Sequence, residues 1–251
     1  FVSRLERDGK SEALLDYTTG IRYYYQDFDV RSRKFANFLT DKAKIKKGDR
    51  VAICAGNCVQ HIDMFYAIVR TGYIMTSYNV KLTERELSEL ILKENPSVVL
   101  YEEEFGEKAA ALKKRFPEVA FISTGNKKQE GDLACYQEVL EYSDEDRSLP
   151  DHQFEDIAML VHTGGTTGIP KAAMISYRAL YYNVINQVTA YGVNNRDVVY
   201  VCLPLFHAAA WNSLLMPLLY VGARMVMTRK FDKKDVFLSL IHISEPTRLR
   251  R

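Results

Sequence analysis

Hydrophobic and polar positions alternate along this chain in two rhythms, and their order predicts its elements. ALLDY and IRYYY flank Thr18-Thr19-Gly20, the pattern of a hairpin in which Tyr23, Tyr24 and Tyr25 run along a strand. In DFDVRSRKFANFLTDKAKI, Val30, Phe35, Phe38 and Leu39 fall near helical spacing, with Asp27 or Asp29 as the cap. Short apolar runs then take turns with amphipathic ones. VAICA (51–55) reads as a strand and Gly56-Asn57 as a turn. VQHIDMFYAIVRT reads as a helix stopped by Gly72, and YIMTSYN as extended. Thr83 and Glu86 form a capping box for the helix ERELSELILKE, which Pro96 closes. VVLY is a strand, EKAAALKKRF a helix and VAFIS another strand.

From Gly125 to Pro150 the text turns polar around one helical patch, which reads as a surface crossing between two substructures. The rhythm resumes with strands IAMLVH (157–162) and AAMIS (172–176). Ser176 caps the helix YRALYYNVINQVTAY, and Gly192 follows it. VVYVCL is a strand, PLFHAAAWN a turn entering a helix and MVMT a final strand, after which Asp232 caps one more helix. Strand-then-helix alternation predicts an α/β fold of mostly parallel sheets layered with helices.

Composition narrows the class. Of 251 residues, 47% are apolar and 26% charged, the profile of a soluble globular chain. A net charge of +2 is too small to imply a nucleic-acid partner. The basic run KAKIKKGDR reads as a solvated loop before a strand. The most apolar stretch, WNSLLMPLLYVGARMVM, is broken by Pro217, Gly222 and Arg224, so no transmembrane segment is expected. Cys54, Cys58, Cys135 and Cys202 are scattered and read as reduced thiols rather than a zinc site, which suits a cytoplasmic protein.

The chemistry concentrates in HTGGTTGIPK, His162 to Lys171. Gly164, Gly165 and Gly168 let backbone approach a ligand closely. Thr163, Thr166 and Thr167 add hydroxyls to the amide donors, and Lys171 supplies a cation. The stretch follows a strand, where the ligand crevices of open α/β sheets lie. Those are the requirements of a phosphate-binding loop. Lys171 follows Pro170 and precedes Ala172, so this is not the Walker loop, and no G-x-G-x-x-G is present.

TGGTTGIPK resembles the phosphate loop of the AMP-forming adenylating enzymes, which include acyl-CoA synthetases, amino-acid-activating adenylation domains and firefly luciferase. LPLFHAAAW (203–211) resembles the family's substrate-side segment, and KKGDRVAICAGN (46–57) is a third, weaker match. The likeness runs from Leu14 to Phe237, and its spelling is similar to fatty-acid-type synthetases. His162 departs from the family by standing where an aromatic is usual, Ala172 where Gly is common, and Tyr177 where His is frequent.

The resemblance implies ATP-dependent activation of a carboxylic acid, fatty or otherwise apolar, through an acyl-adenylate. Coenzyme A then takes the acyl group, and Mg²⁺ accompanies ATP. It assigns Thr163, Gly164, Gly165, Thr166, Thr167, Gly168 and Lys171 to the phosphates, and Lys171 and His207 to catalysis. It also assigns His207 and Trp211 to the acid, Trp211 lying one helical turn beyond His207. His61 and His152 read as surface or packing residues. Loading of a carrier-protein thiol, or a nucleotide-binding protein without activity, are the alternatives. SLIHISEPTR (239–248) resembles a sequencing-adapter reading frame. Residues 1–238 are therefore expected to be a partial N-terminal adenylating domain and 239–251 a non-native tail. The adenine and ribose sites would then lie beyond Leu238, and the chain alone would be inactive.

Overall fold

In a computed structural model, residues 1–147, 150–162 and 171–233 are described. In chain order the elements begin with α1 (Val2–Arg7), β1 (Glu12–Asp16), β2 (Ile21–Tyr24), α2 (Tyr25–Asp41), β3 (Arg50–Cys54), α3 (Gln60–Thr71) and β4 (Ile74–Ser77). They continue with α4 (Glu84–Glu94), β5 (Val98–Tyr101), α5 (Gly106–Arg115), β6 (Ala120–Ser123), β7 (Ala134–Cys135) and α6 (Tyr136–Leu140). After the polar stretch come β8 (Ile157–His162), β9 (Ala172–Ser176), α7 (Tyr177–Tyr191), β10 (Val198–Val201), α8 (Met216–Val221) and β11 (Arg224–Met227).

Two sheets result. One has seven strands in the order β7-β6-β5-β3-β4-β8-β9, all parallel to their neighbours except β9, which runs antiparallel to β8. The other has four strands in the order β10-β11-β1-β2, with β2 the antiparallel member. The mostly parallel α/β architecture is as the alternation implies.

The polar stretch, however, does not separate two substructures. β8 and β9 complete the sheet that β3 to β7 begin, while β1 pairs with β11, Leu14 opposite Met225. The two halves of the chain are interleaved, because β1 near its start takes β11 near its end as a parallel neighbour. A second correction concerns α2. Tyr25 opens this helix rather than ending a strand, and its hydroxyl donates to Ala223 O at 2.7 Å. Asp27 sits in the first turn and accepts from Tyr24 N at 2.7 Å, so it satisfies an orphan donor without being the cap residue.

Helix α3 is buried nearly all round, the signature of a helix packed between layers. Phe65 meets Trp211 at 5.7 Å, and Phe28 of α2 stacks on Tyr66. Asp63, fully buried on α3, is held by a two-pronged bond from Arg31 and by the Tyr136 hydroxyl at 2.7 Å. Gly72 ends the helix at φ 74°, where a side chain would be strained. Before α8, residues 210–215 form a π-helical stretch, and Pro217, which has no N–H to give, follows in the first turn of α8. Thr83 and Glu86 make the expected reciprocal cap, and Ser176 Oγ accepts from Ala179 N at 3.2 Å. The expected helix after Asp232 and the expected tail at 239–251 lie outside the described residues.

Candidate functional site at the strand ends

Parallel strands deliver their C-terminal ends to one edge of a sheet, and the two groups singled out from the sequence follow such ends, one after β8 of the larger sheet and the other after β10 of the smaller. β8 ends at His162, and Ala172 of β9 stands directly opposite it. The residues expected to hold phosphates, Thr163 to Gly168, fall outside the described residues. Their flanks are described: they leave and re-enter the sheet on adjacent strands, and Lys171, exposed, stands at the foot of β9.

His162 is anchored on both ring nitrogens. Nε2 lies 2.6 Å from Glu94 Oε1, and Nδ1 lies 3.2 Å from Ser77 O. Glu94 is the last residue of α4 and is buried; its other oxygen accepts from Thr76 Oγ1 at 3.1 Å. The Tyr78 ring packs against His162, centroids 5.6 Å apart. Burial, then the Glu94 charge, hold the Tyr78 hydroxyl well above its ordinary pKa. Tyr177 bonds Ile68 O at 3.0 Å and packs on His152, which itself contacts Val69 O at 2.7 Å. Both are packing residues.

His207 emerges after β10 and is exposed, its ring against Phe206. It lines a cavity of about 490 Å³ together with Phe206, Asn57, Lys81, Arg229 and Lys230. Asn79, Val80 and Lys81 of this wall directly follow the Ser77–Tyr78 pair that holds His162. The β4–α4 connection therefore links the two regions. Trp211 does not line this cavity. Its indole is buried in the core, donating to Leu205 O at 2.7 Å and packing on Phe65. The π-helical stretch widens the turn there, so helical spacing from His207 does not predict a shared face.

The cavity wall is held by Asn57. Its amide nitrogen donates to Leu203 O and Thr228 O, each at 3.1 Å, and its oxygen accepts from Leu205 N at 2.9 Å. Arg229, just past β11, bonds Glu102 at 2.8 Å and Glu104 at 2.7 Å beyond β5, adding a second tie between the sheets. Burial pushes the Glu102 carboxyl up, against the opposing pull of the Gly56 amide and Arg229. With Lys81 and Lys230, the cavity mouth is cationic and suits an anion.

Burial raises the Cys54 thiol to about 12 and also pushes Cys58 up, so neither is an activated nucleophile. Burial lowers His61 to about 3, and its Nδ1 sits 3.3 Å from Cys58 Sγ. Among the described residues no group of three or more His, Cys, Asp or Glu is arranged to hold a metal, and no helix is long and apolar enough to cross a membrane.

A family model described as "AMP-binding enzyme" matches residues 1–249. The chain belongs to the AMP-binding enzyme family. Among its relatives, 4-coumarate–CoA ligase 3 of Oryza sativa subsp. japonica is 30% identical over 236 residues, covering 92% of this chain and 41% of the relative. The medium-chain-fatty-acid–CoA ligase of Ectopseudomonas oleovorans is 26% identical over 232 residues, covering 87% and 42%. The ATP-bound crystal structure of MatB from Rhodopseudomonas palustris superposes with a TM-score of 0.82 at 24% identity, covering 96% of this chain and 47% of that one. The fold is thus that of AMP-binding enzymes, and this chain spans about two-fifths of the length of these curated relatives.

In this AMP-binding enzyme, Asn57, Glu94, Lys81 and Arg229 escape a reading of the sequence. Asn57 follows a strand end and reads there only as a turn residue, though strand ends are where such a fold binds ligands. Nothing local marks Glu94, since its partners come from β4 and β8.

Proposed function

We propose that this chain is the front part of an AMP-forming acid–thiol ligase. Its substrates are ATP, a fatty or other apolar carboxylic acid, and coenzyme A. One observation carries the reading: the Thr/Gly segment of a family member follows the C-terminal end of β8, the last parallel strand of the larger sheet, and Lys171 stands where the chain returns. In this reading Thr163 to Gly168 donate amide and hydroxyl hydrogens to the β- and γ-phosphates. Lys171 neutralises charge gathering on the leaving diphosphate. An acid oxygen attacks the α-phosphorus, the bond to the β-phosphate oxygen breaks, and diphosphate leaves. The coenzyme A sulfur, giving up its proton, then attacks the acyl carbon and expels AMP. His207 and the cationic cavity mouth orient the carboxylate, and Phe206, Leu203 and Val80 offer apolar surface to the acyl chain. Mg²⁺, when bound, draws charge from the phosphate oxygens.

The 251-residue chain alone is proposed not to complete the reaction. The test is diphosphate release by the full-length polypeptide with a panel of acids. Lys171→Ala should lower kcat/KM about 100-fold or more. Robust turnover by Lys171→Ala, or no release with any acid from folded wild type, defeats the proposal.

A further inference from the structure

We propose that His162 and Glu94 form a one-proton clamp that positions the two ends of the nucleotide segment, His162 and Lys171. The inference rests on the nucleotide reading above. The register of β8 with β4 runs through Met159 and Leu160, so Val161 and His162 extend past it. The His162 side chain takes over there, reaching Ser77 O and Glu94 beyond the end of the ladder. On the other side the His162–Ala172 pair transmits its position to Lys171, the next residue. A shift of the His162 backbone therefore moves both flanks of the segment together.

Hydrogen count fixes the state of the pair. Ser77 O can only accept, so Nδ1 carries a hydrogen. At 2.6 Å, Nε2 and Glu94 Oε1 must then have a proton between them. Without it, two lone pairs would face each other in a buried site. Glu94 also sits at the C-terminal end of α4, where the helix dipole disfavours a carboxylate, so an opposing imidazolium offsets a real cost. The ionisable groups around the pair are Tyr78 past β4, Lys171 at the foot of β9, and Arg50 and Cys54 of β3, which act on the Tyr78 hydroxyl. His162 is thus a positioning residue, and its departure from the aromatic usual at this place has a partner to explain it.

The experiment is the KM for ATP of the full-length polypeptide, read from diphosphate release, with circular dichroism to establish folding. Glu94→Ala and His162→Ala should each raise it about tenfold, the worth of one buried charge-assisted bond, while the KM for the acid stays within about twofold. Glu94→Gln should restore wild-type behaviour to within about threefold, because its amide donates to Nε2 while Nδ1–H keeps Ser77. Glu94→Gln as impaired as Glu94→Ala, or a KM for the acid raised as much as that for ATP, overturns the clamp. Lys171→Ala separates the two readings. Defective Lys171→Ala beside normal Glu94→Ala defeats the clamp alone, and an unchanged Lys171→Ala defeats the nucleotide reading and the clamp with it. Should Glu94→Ala fail to fold, His162→Ala and Glu94→Gln decide: an unchanged KM for ATP in the first, or a rise of about tenfold in the second, overturns the clamp.

Discussion

Replacing Asn57 with Ala removes three hydrogen bonds that join the end of β3 to the segments after β10 and β11. Two of the three partners, Thr228 O and Leu205 N, make buried bonds, so water cannot readily replace the amide. Leu203 is exposed, and its carbonyl recovers a water partner. Leaving a buried polar group unpaired costs about 1–3 kcal/mol, so two of them amount to about 3 kcal/mol after partial relaxation. For a chain of this size that corresponds to a fall in melting temperature of about 6–12 °C. Differential scanning calorimetry of the 251-residue chain measures it. Asn57→Asp is the control. It keeps the acceptor for Leu205 N but points a carboxylate at two carbonyl oxygens, so it should lose at least as much. An Asn57→Ala melting temperature within about 1 °C of wild type would mean that the junction of the two sheets does not depend on this side chain, and the argument for Asn57 as their tie fails.

Two further outcomes follow from particular positions. Gly72→Ala forces a side chain into the left-handed region at φ 74°, with its Cβ 2.7 Å from Lys47 Cγ. The lysine stem can move but the backbone cannot, so a loss of about 1–2 kcal/mol is expected in urea denaturation. His61 is held neutral, its pKa lowered to about 3, whereas an unfolded histidine titrates near 6.5. The unfolded chain therefore binds a proton first, and stability falls as pH drops below about 6.5, by about 1.4 kcal/mol per unit until the folded pKa is reached. Between pH 6.5 and 4.5, wild type should lose about 2–3 kcal/mol more than His61→Leu, and parallel curves would show that His61 is not the group responsible.

Periodicity made much of the local structure legible. β5, β8, β9 and α7 match their apolar and polar patterns, and the Thr83–Glu86 and Ser176 caps are local chemistry that three residues can spell. Partnership between distant segments was not legible. β1 reads as half a hairpin, and nothing in ALLDY points to a neighbour at Arg224–Met227. The same limit hid the site's supports. Asn57 looks like any turn residue until the carbonyls of Leu203 and Thr228 stand around it. Trp211 shows a related limit: its spacing from His207 does not make the two share a cavity, and the indole packs on Phe65. The phosphate segment was the clearest signal in the sequence, because its chemistry lies in its own consecutive residues.

The neighbouring of β1 and β11 bears on synthesis. Leu14 leaves the ribosome long before Met225 does, and at about 5–20 residues per second the delay is on the order of 10–40 s. Throughout that interval the first hairpin has no strand on its inner edge, while β3 to β7 are already free to assemble. The smaller sheet is therefore a late product of translation, and the inner edge of its opening strand stays open until β11 arrives.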